Sequence, residues 1–276
     1  MSIGRVLTAS AALTLSACAA LPPAPSASHA NPAQYDLRDE FAALGGTNQP
    51  GQLAQVTPGR DPATTEVLVH GIGSGPDSLE GLIPQATATG HRVEVFLYDS
   101  VYRRLSDSSH DLASELVRFQ QSHPNTRVHL VTHSMGGRVA LDAVRQTQQW
   151  GQMPPGLSMQ MVAPTLEGFA MADTALAVPD FIARGIGRTM PGKDMARHSA
   201  FQQRLEQVHL PPSVPVTIYA GDHDGVADYS NPRFMNIANH IGAHLVYVRD
   251  ADHNSILTKV AANQTQYFTS DAPPHD

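Results

Sequence analysis

Six short apolar stretches between residues 66 and 249 alternate with segments whose apolar positions recur every three or four residues. Glu66–His70 (EVLVH), His91–Tyr98 (HRVEVFLY), Arg127–Thr132 (RVHLVT), Leu157–Ala163 (LSMQMVA), Val214–Ala220 (VPVTIYA) and His244–Arg249 (HLVYVR) read as strands, the fourth more weakly than the rest. Between them, Asp111–Gln121 sets Leu112, Leu116 and Phe119 on one helical face. Ser134–Gln148 does the same with Val139, Ala140 and Val144. Strands separated by helices of this length predict an α/β fold, with a mostly parallel sheet and helices on both faces.

Pro164–Pro212 breaks the alternation with short helical pieces divided by Gly and Pro. This predicts a helical insertion near 164–212. It is either a partial lid or pocket wall over the C-terminal edge of the sheet, where open α/β sheets bind ligands, or a set of crossover helices away from substrate. Phe169, Leu176, Phe181, Ile182 and Ile186 would line an acyl groove in the first case and pack inward in the second. Ahead of the first strand, Tyr35–Ala43 reads as a short helix and Gly45–Asp61 as mostly turn. The polar tail Thr269–Asp276 reads as a frayed end.

Composition narrows the partners. Of 276 residues, 41% are apolar and 16% charged, which suits a single folded domain over 35–276. Lys plus Arg number 18 against 25 Asp plus Glu, for a net charge of −7, and no basic cluster interrupts the chain. With aromatics at 6%, this argues against nucleic acid as a partner. No G-x-G-x-x-G follows a strand, so a dinucleotide cofactor has no support; no tandem repeat or zinc-type cysteine spacing occurs either.

The one cysteine stands at the end of MSIGRVLTASAALTLSAC, where Arg5 precedes an apolar run too short to span a bilayer. LSAC resembles a bacterial lipobox, which implies a signal peptide over 1–17 and a lipid on Cys18, with Ala19 matching the outer-membrane sorting pattern. The expectation is a lipid-anchored outer-membrane protein, its membrane partner reached through Cys18 alone. Cleavage after Ser28–Ala30 (SHA), giving a periplasmic or secreted protein, is the alternative. The Pro-, Ala- and Ser-rich stretch up to residue 34 then serves as a tether.

Candidate chemistry starts at VHLVTHSMGG (Val128–Gly137), where Ser134 follows a strand and opens a helix. Such a turn lifts a hydroxyl clear of the sheet, as in the G-x-S-x-G nucleophile elbow, although Thr132 holds the position of the first glycine. A serine that merely caps the helix is the plainer reading. Three further features favour chemistry. His70-Gly71-Ile72-Gly73 ends the first strand, where glycines let backbone N–H groups face a developing oxyanion. Asp224 in YAGDHDGVADYSN follows the fifth strand and His253 in RDADHNSIL the sixth, so the order is Ser, Asp, His, each at a strand's C-terminal end.

On these segments the chain resembles the α/β-hydrolase superfamily, in its lipase and esterase branch, over about residues 64–265. The resemblance implies that fold and carries the nucleophile to Ser134 in HSMGG. It carries the acid to Asp224 in the G-x-x-D-x-x-V/A setting of Gly221–Ala227, and the base to His253 in DHNSIL. The oxyanion donors it implies are the backbone N–H groups of Ile72 and Met135. PGKDMARHSAFQQRL also resembles a segment of bacterial lipase-like members.

Asp222 is the runner-up acid. His70 reads as a structural residue of the oxyanion turn, and His133 as a packing residue pointing away from the nucleophile. The Asp222–Asp224 cluster with His240 and His244 nearby matches no zinc spacing, so no metal and no cofactor is expected. The function expected is a serine ester hydrolase acting on a small-molecule or lipid ester through an acyl-enzyme. Thioesterase, amidase or peptidase, and acyltransferase use the same machinery, and a non-catalytic surface binding module is the remaining alternative.

Overall fold

The computed structural model describes residues 51–73, 76–79, 82, 86, 89–169, 172–173, 191–261 and 267–268. The expected signal segment, Cys18, the expected tether, the expected Tyr35–Ala43 helix, Leu176, Phe181, Ile182, Ile186 and the tail from Thr269 lie outside the described residues.

One eight-stranded sheet organises the chain: β1 (Gln52–Thr57), β2 (Asp61–Val69), β3 (His91–Leu97), β4 (Arg127–His133), β5 (Ser158–Val162), β6 (Val216–Gly221), β7 (His244–Val248) and β8 (Tyr267–Phe268). Their spatial order is β1-β3-β2-β4-β5-β6-β7-β8. The six inner strands run parallel; β1 and β8 pair antiparallel at the two edges. Among the described residues six α-helices accompany the strands: α1 (Leu105–Ser122), α2 (Met135–Gln149), α3 (Pro191–Met195), α4 (Ala200–Glu206), α5 (Pro232–His240) and α6 (Ser255–Ala261).

The period-2 alternation of the strands sorts apolar side chains onto the two faces. Val67 and Val69 of β2, Leu130 of β4 and Met159 and Met161 of β5 join Leu112, Leu116, Val139, Val144, Phe201 and Phe234 on one side. Leu68, Val93, Val95 and Val131 point to the other, where Leu79, Leu82, Ile256 and Val260 cover them. The faces of α1 and α2 expected from spacing are the ones buried.

Two expectations need correction. Gln52–Thr57 is a strand, although Gly45–Asp61 reads as mostly turn. Its alternation is short, and its order comes from pairing with β3, Gln52 opposite Leu97 and Gln55 opposite Glu94. Leu53 packs on one core and Ala54 and Val56 on the other, burial that a local pattern of six residues barely announces. Helix α1 also begins six residues before the expected Asp111. Its first turn, LSDSSH, is poor in helix formers, and Arg104 at the N-cap gives no side-chain cap. The Asp194 carboxylate instead accepts the Leu105 N–H at 2.7 Å and the Ser106 N–H at 3.4 Å while forming a two-pronged pair with Arg104. A carboxylate there satisfies orphan N–H groups and suits the positive end of the helix dipole.

That contact also places the described part of the 164–212 segment. Asp194 belongs to α3, and Phe201 and Leu205 of α4 lie in the core beside α2. Arg138 of α2, fully buried, donates to the carbonyls of Thr165 and Asp194 and lies over the Phe201 ring. These pieces form part of the body of the domain.

Candidate active site

Register sets the site. Val69 of β2 pairs with Thr132 of β4, His133 of β4 with Val162 of β5, and Gly221 of β6 with Val248 of β7. The chain therefore leaves these parallel strands along one edge of the sheet, and Ile72, Ser134, Asp224 and His253 all follow strand ends on it.

Ser134 occupies the left-handed backbone region, φ 53°, which disfavours any residue with a Cβ. Its N–H bonds the Val162 carbonyl at 3.0 Å and its carbonyl accepts from Gly137 N–H. The sharp turn brings α2 so close to β2 that a Cβ on Gly136 would stand 2.5 Å from the carbonyl oxygens of Val69 and His70. Only glycine fits there.

The structure brings three of the expected residues together. Ser134 Oγ lies 2.8 Å from His253 Nε2, and His253 Nδ1 lies 2.9 Å and 3.1 Å from the Asp224 carboxylate oxygens. Ser134 is 5% exposed, the His253 side chain 13%, and the Asp224 side chain is buried. Asp222, by contrast, accepts the Ala251 N–H and faces solvent near His223 and Asp250. His240 bonds the Glu206 carbonyl and stacks on His209, apart from that group.

Three hydrogen bonds besides that from His253 stabilise the Asp224 carboxylate. Burial pushes the carboxyl up, but hydrogen bonds from His253, from the Tyr229 hydroxyl at 2.5 Å, and from the N–H groups of Ala227 and Val226 outweigh it and hold the pKa below the ordinary aspartate value. The carboxylate is thus ionised and directed at Nδ1. An ionised acceptor at Nδ1 fixes the proton there and leaves Nε2 free to take one from Ser134.

Beside the serine, the turn after β2 is held by its neighbours on β3. The buried Tyr98 hydroxyl donates to the His70 carbonyl at 2.6 Å while its ring stacks on the His70 imidazole. His70 Nδ1 donates to the Gly71 carbonyl, and the Gly73 N–H bonds Ser100 Oγ. Among the described residues the Ile72 N–H has no hydrogen-bond partner. Met135 opens α2, where the first N–H groups have no intrahelical acceptor. Both N–H groups at which an oxyanion is expected are uncommitted. Phe169, read as either lining a groove or packing inward, packs against the core.

Sequence reasoning passed over Tyr229, Tyr98 and Ser100. Tyr229 sits five residues beyond the acid in no recognisable motif, and Tyr98 reads only as the end of an apolar strand. His133 departs from its expected role: its Nε2 lies 3.0 Å from the His253 carbonyl oxygen.

Residues 67–263 match the family model described as the alpha/beta hydrolase family. No curated protein matches the chain. Among solved structures, the mature form of a Bacillus licheniformis lipase aligns with a TM-score of 0.57 at 17% identity, covering 79% of this chain and 97% of that one. A putative thioesterase from a Silicibacter species gives 0.56 at 13% identity over 82% and 85%. A lipase-esterase related protein from Clostridium acetobutylicum gives 0.55 at 10% identity over 77% and 96%. At these identities the likeness is one of fold.

Proposed function

The chain belongs to the alpha/beta hydrolase family, and on that premise we propose that it is a serine hydrolase cleaving carboxylic esters through an acyl-enzyme on Ser134. The observation that carries the reading is the continuous path Ser134 Oγ, His253 Nε2, His253 Nδ1, Asp224 Oδ2, with steps of 2.8 Å and 2.9 Å. Those are hydrogen-bond distances suited to proton transfer.

His253 Nε2 takes the hydroxyl proton as Ser134 Oγ attacks the acyl carbon. The carbonyl oxygen becomes an oxyanion held by the N–H groups of Ile72 and Met135, while Asp224 stabilises the imidazolium. Collapse breaks the bond to the leaving alkoxide, which receives the proton from His253. Water then enters, gives a proton to His253 and attacks the acyl-enzyme; collapse of the second intermediate returns the proton to Ser134 and releases the acid.

The choice of ester rests on the resemblance of the chain as a whole to the lipase and esterase branch, not on a motif that separates esters from thioesters or amides. A thioesterase shares the fold, so the test includes a thioester: p-nitrophenyl esters of increasing chain length, an acyl thioester and a peptide anilide, on wild type and Ser134→Ala. Ester turnover lost by ~10³-fold or more in the variant is the expected result. A wild type that turns over none of them and resists a fluorophosphonate favours the surface binding module.

The leader supports a further reading, that Cys18 is lipidated and the hydrolase works from the outer membrane on its tether. Wild type expressed in a Gram-negative host should take up labelled palmitate and Cys18→Ser should not. An unlabelled wild type beginning at Asn31 would place cleavage after SHA and overturn the anchor.

A further inference from the structure

Two consecutive residues of the elbow engage the same histidine. Ser134 meets the His253 ring at Nε2, and His133 meets the His253 main chain, its own Nε2 lying 3.0 Å from the carbonyl oxygen. A carbonyl only accepts, so the His133 proton sits on Nε2 and the contact is a donated hydrogen bond. The two rings lie 5.1 Å apart, tilted by 45°. His133 is 6% exposed and ends β4 in the middle of the sheet. Its Nδ1 is buried with no partner among the described residues. Burial pushes its pKa down to about 4, with the imidazolium His253 forms during turnover acting in the same direction. His133 is therefore neutral at working pH and adds no charge opposing that imidazolium.

The segment that carries His253 is held by its own turns and by bonds from Ala251 to the acid loop. Asp252 Oδ1 accepts the N–H groups of Asn254 and Ser255, and Asp252 and Asn254 are exposed. Ala251 is tied to the acid loop through Asp222 and through His223 N–H. At residue 253 itself, His133 makes the one hydrogen bond to the main chain among the described residues. That bond matters once the serine is acylated. The ring then loses Ser134 as a partner and keeps only Asp224 at its other end, yet must deliver a proton to the leaving group and direct water at the acyl carbon.

We propose that His133 is a positioning residue, donating to the His253 carbonyl so that the imidazole keeps its place relative to Ser134 while the serine is acylated. The proposal rests on the serine hydrolase reading of the site. Displacement of a general base by about 1 Å costs on the order of 10²-fold in rate. The cost should fall on kcat, because nothing in the contact touches bound substrate.

The test compares His133→Phe, which keeps a flat ring without the donor, with His133→Gln, whose amide places a donor at the same reach. Both are made in the full chain. Turnover of p-nitrophenyl butyrate is measured beside the low-field proton NMR signal of the His253 Nδ1–H, which reads the resting site whether or not any ester is cleaved. The expected result is a folded His133→Phe with kcat lowered ~10- to 100-fold and KM unchanged. Its Nδ1–H signal should be shifted or broadened, and His133→Gln should restore both. Wild-type kcat and signal in His133→Phe would overturn the proposal, as would equal loss in both variants, which would assign His133 to packing. Should wild type cleave no acyl substrate, the signal decides alone: changed by Phe and restored by Gln supports the positioning role, and unchanged overturns it.

Discussion

Thr132 and Gly137 face each other across the turn from β4 to α2: a Cβ on residue 137 would stand 3.4 Å from the Thr132 hydroxyl oxygen and 2.9 Å from Pro164 Cβ. The helix side of the elbow leaves room for a larger residue on the strand side. Thr132 therefore fits where a glycine is usual, and the close backbone approach is carried by Gly136. The Thr132 hydroxyl has no hydrogen-bond partner among the described residues although the residue is fully buried. Thr132→Val should stabilise the protein by about 1 kcal/mol by removing that unpaired group. Thr132→Gly should lower stability by a similar amount, since it empties buried volume and frees the unfolded chain. Urea unfolding of the two variants checks the signs; a destabilised Thr132→Val would mean the hydroxyl has an acceptor in solution.

Tyr98 holds the turn that presents the Ile72 N–H, through its hydroxyl on the His70 carbonyl. Tyr98→Phe keeps the ring stacked on His70 and deletes the bond. If that turn forms half of the oxyanion site, kcat should fall by about tenfold, less than the ~10²-fold or more lost with a donor itself. Affinity for a boronic acid that mimics the tetrahedral intermediate should fall in parallel while KM stays level. Unchanged boronate affinity would remove Ile72 from the site.

The Tyr229 hydroxyl donates to an ionised carboxylate, so its contribution depends on pH. The Asp224 pKa is depressed in the folded protein, so the stability it contributes is present above the unfolded value, near 3.8, and is lost as pH falls through the lower folded value. Tyr229→Phe should cost about 2 kcal/mol at pH 7, the range for a hydrogen bond to a charged group. Below pH 3.8 the gap between variant and wild type should narrow. Denaturant titrations at pH 7 and pH 3 measure it; a gap of equal size at both would mean the lost bond does not depend on the carboxylate charge.

His133 titrates in the opposite sense from a histidine that gains a partner. Burial lowers its folded pKa from 6.5 to about 4, so between those values the unfolded chain binds a proton the folded protein refuses. Stability falls as pH drops through that window, by up to ~1.4 kcal/mol per unit and on the order of 3 kcal/mol at its foot. His133→Gln has no such proton. Its unfolding free energy relative to wild type should therefore rise between pH 7 and pH 4.5, while contributions common to both proteins cancel. A constant difference would mean His133 is protonated as readily folded as unfolded.

The inner strands were legible because each is a contiguous apolar run, and α1 and α2 because their buried faces repeat at helical spacing. Ser134, Asp224 and His253 were legible because each sits in a short segment at a strand end. What lay hidden depends on pairings that no local pattern encodes, most of them between residues distant in sequence. Gln52–Thr57 is a strand through its pairing with β3, 40 or so residues on. Tyr98 and His133 act through single hydrogen bonds to carbonyls 28 and 120 residues away, while Tyr229 reaches the acid within its own loop, and nothing in their neighbourhoods marks any of the three. Periodicity reports burial; it does not report which buried hydroxyl or imidazole meets which carbonyl.

The carboxylate of Asp194 that caps α1 also has a consequence in time. The N–H it accepts belongs to Leu105, 89 residues earlier, so the first turn of α1 waits for a chain loop of that size to close. Closing such a loop costs about 4 kcal/mol of chain entropy, which non-local contacts return only once they are made. The bond therefore belongs to the late part of folding. A contact absent from the transition state acts on the rate of unfolding and leaves the rate of folding nearly unchanged. Asp194→Asn should steepen the loss of folded protein under heat or protease, while stopped-flow refolding proceeds at close to the wild-type rate. The Asp194 carboxylate on α3 thus bears on how long the folded protein lasts rather than on how fast it forms.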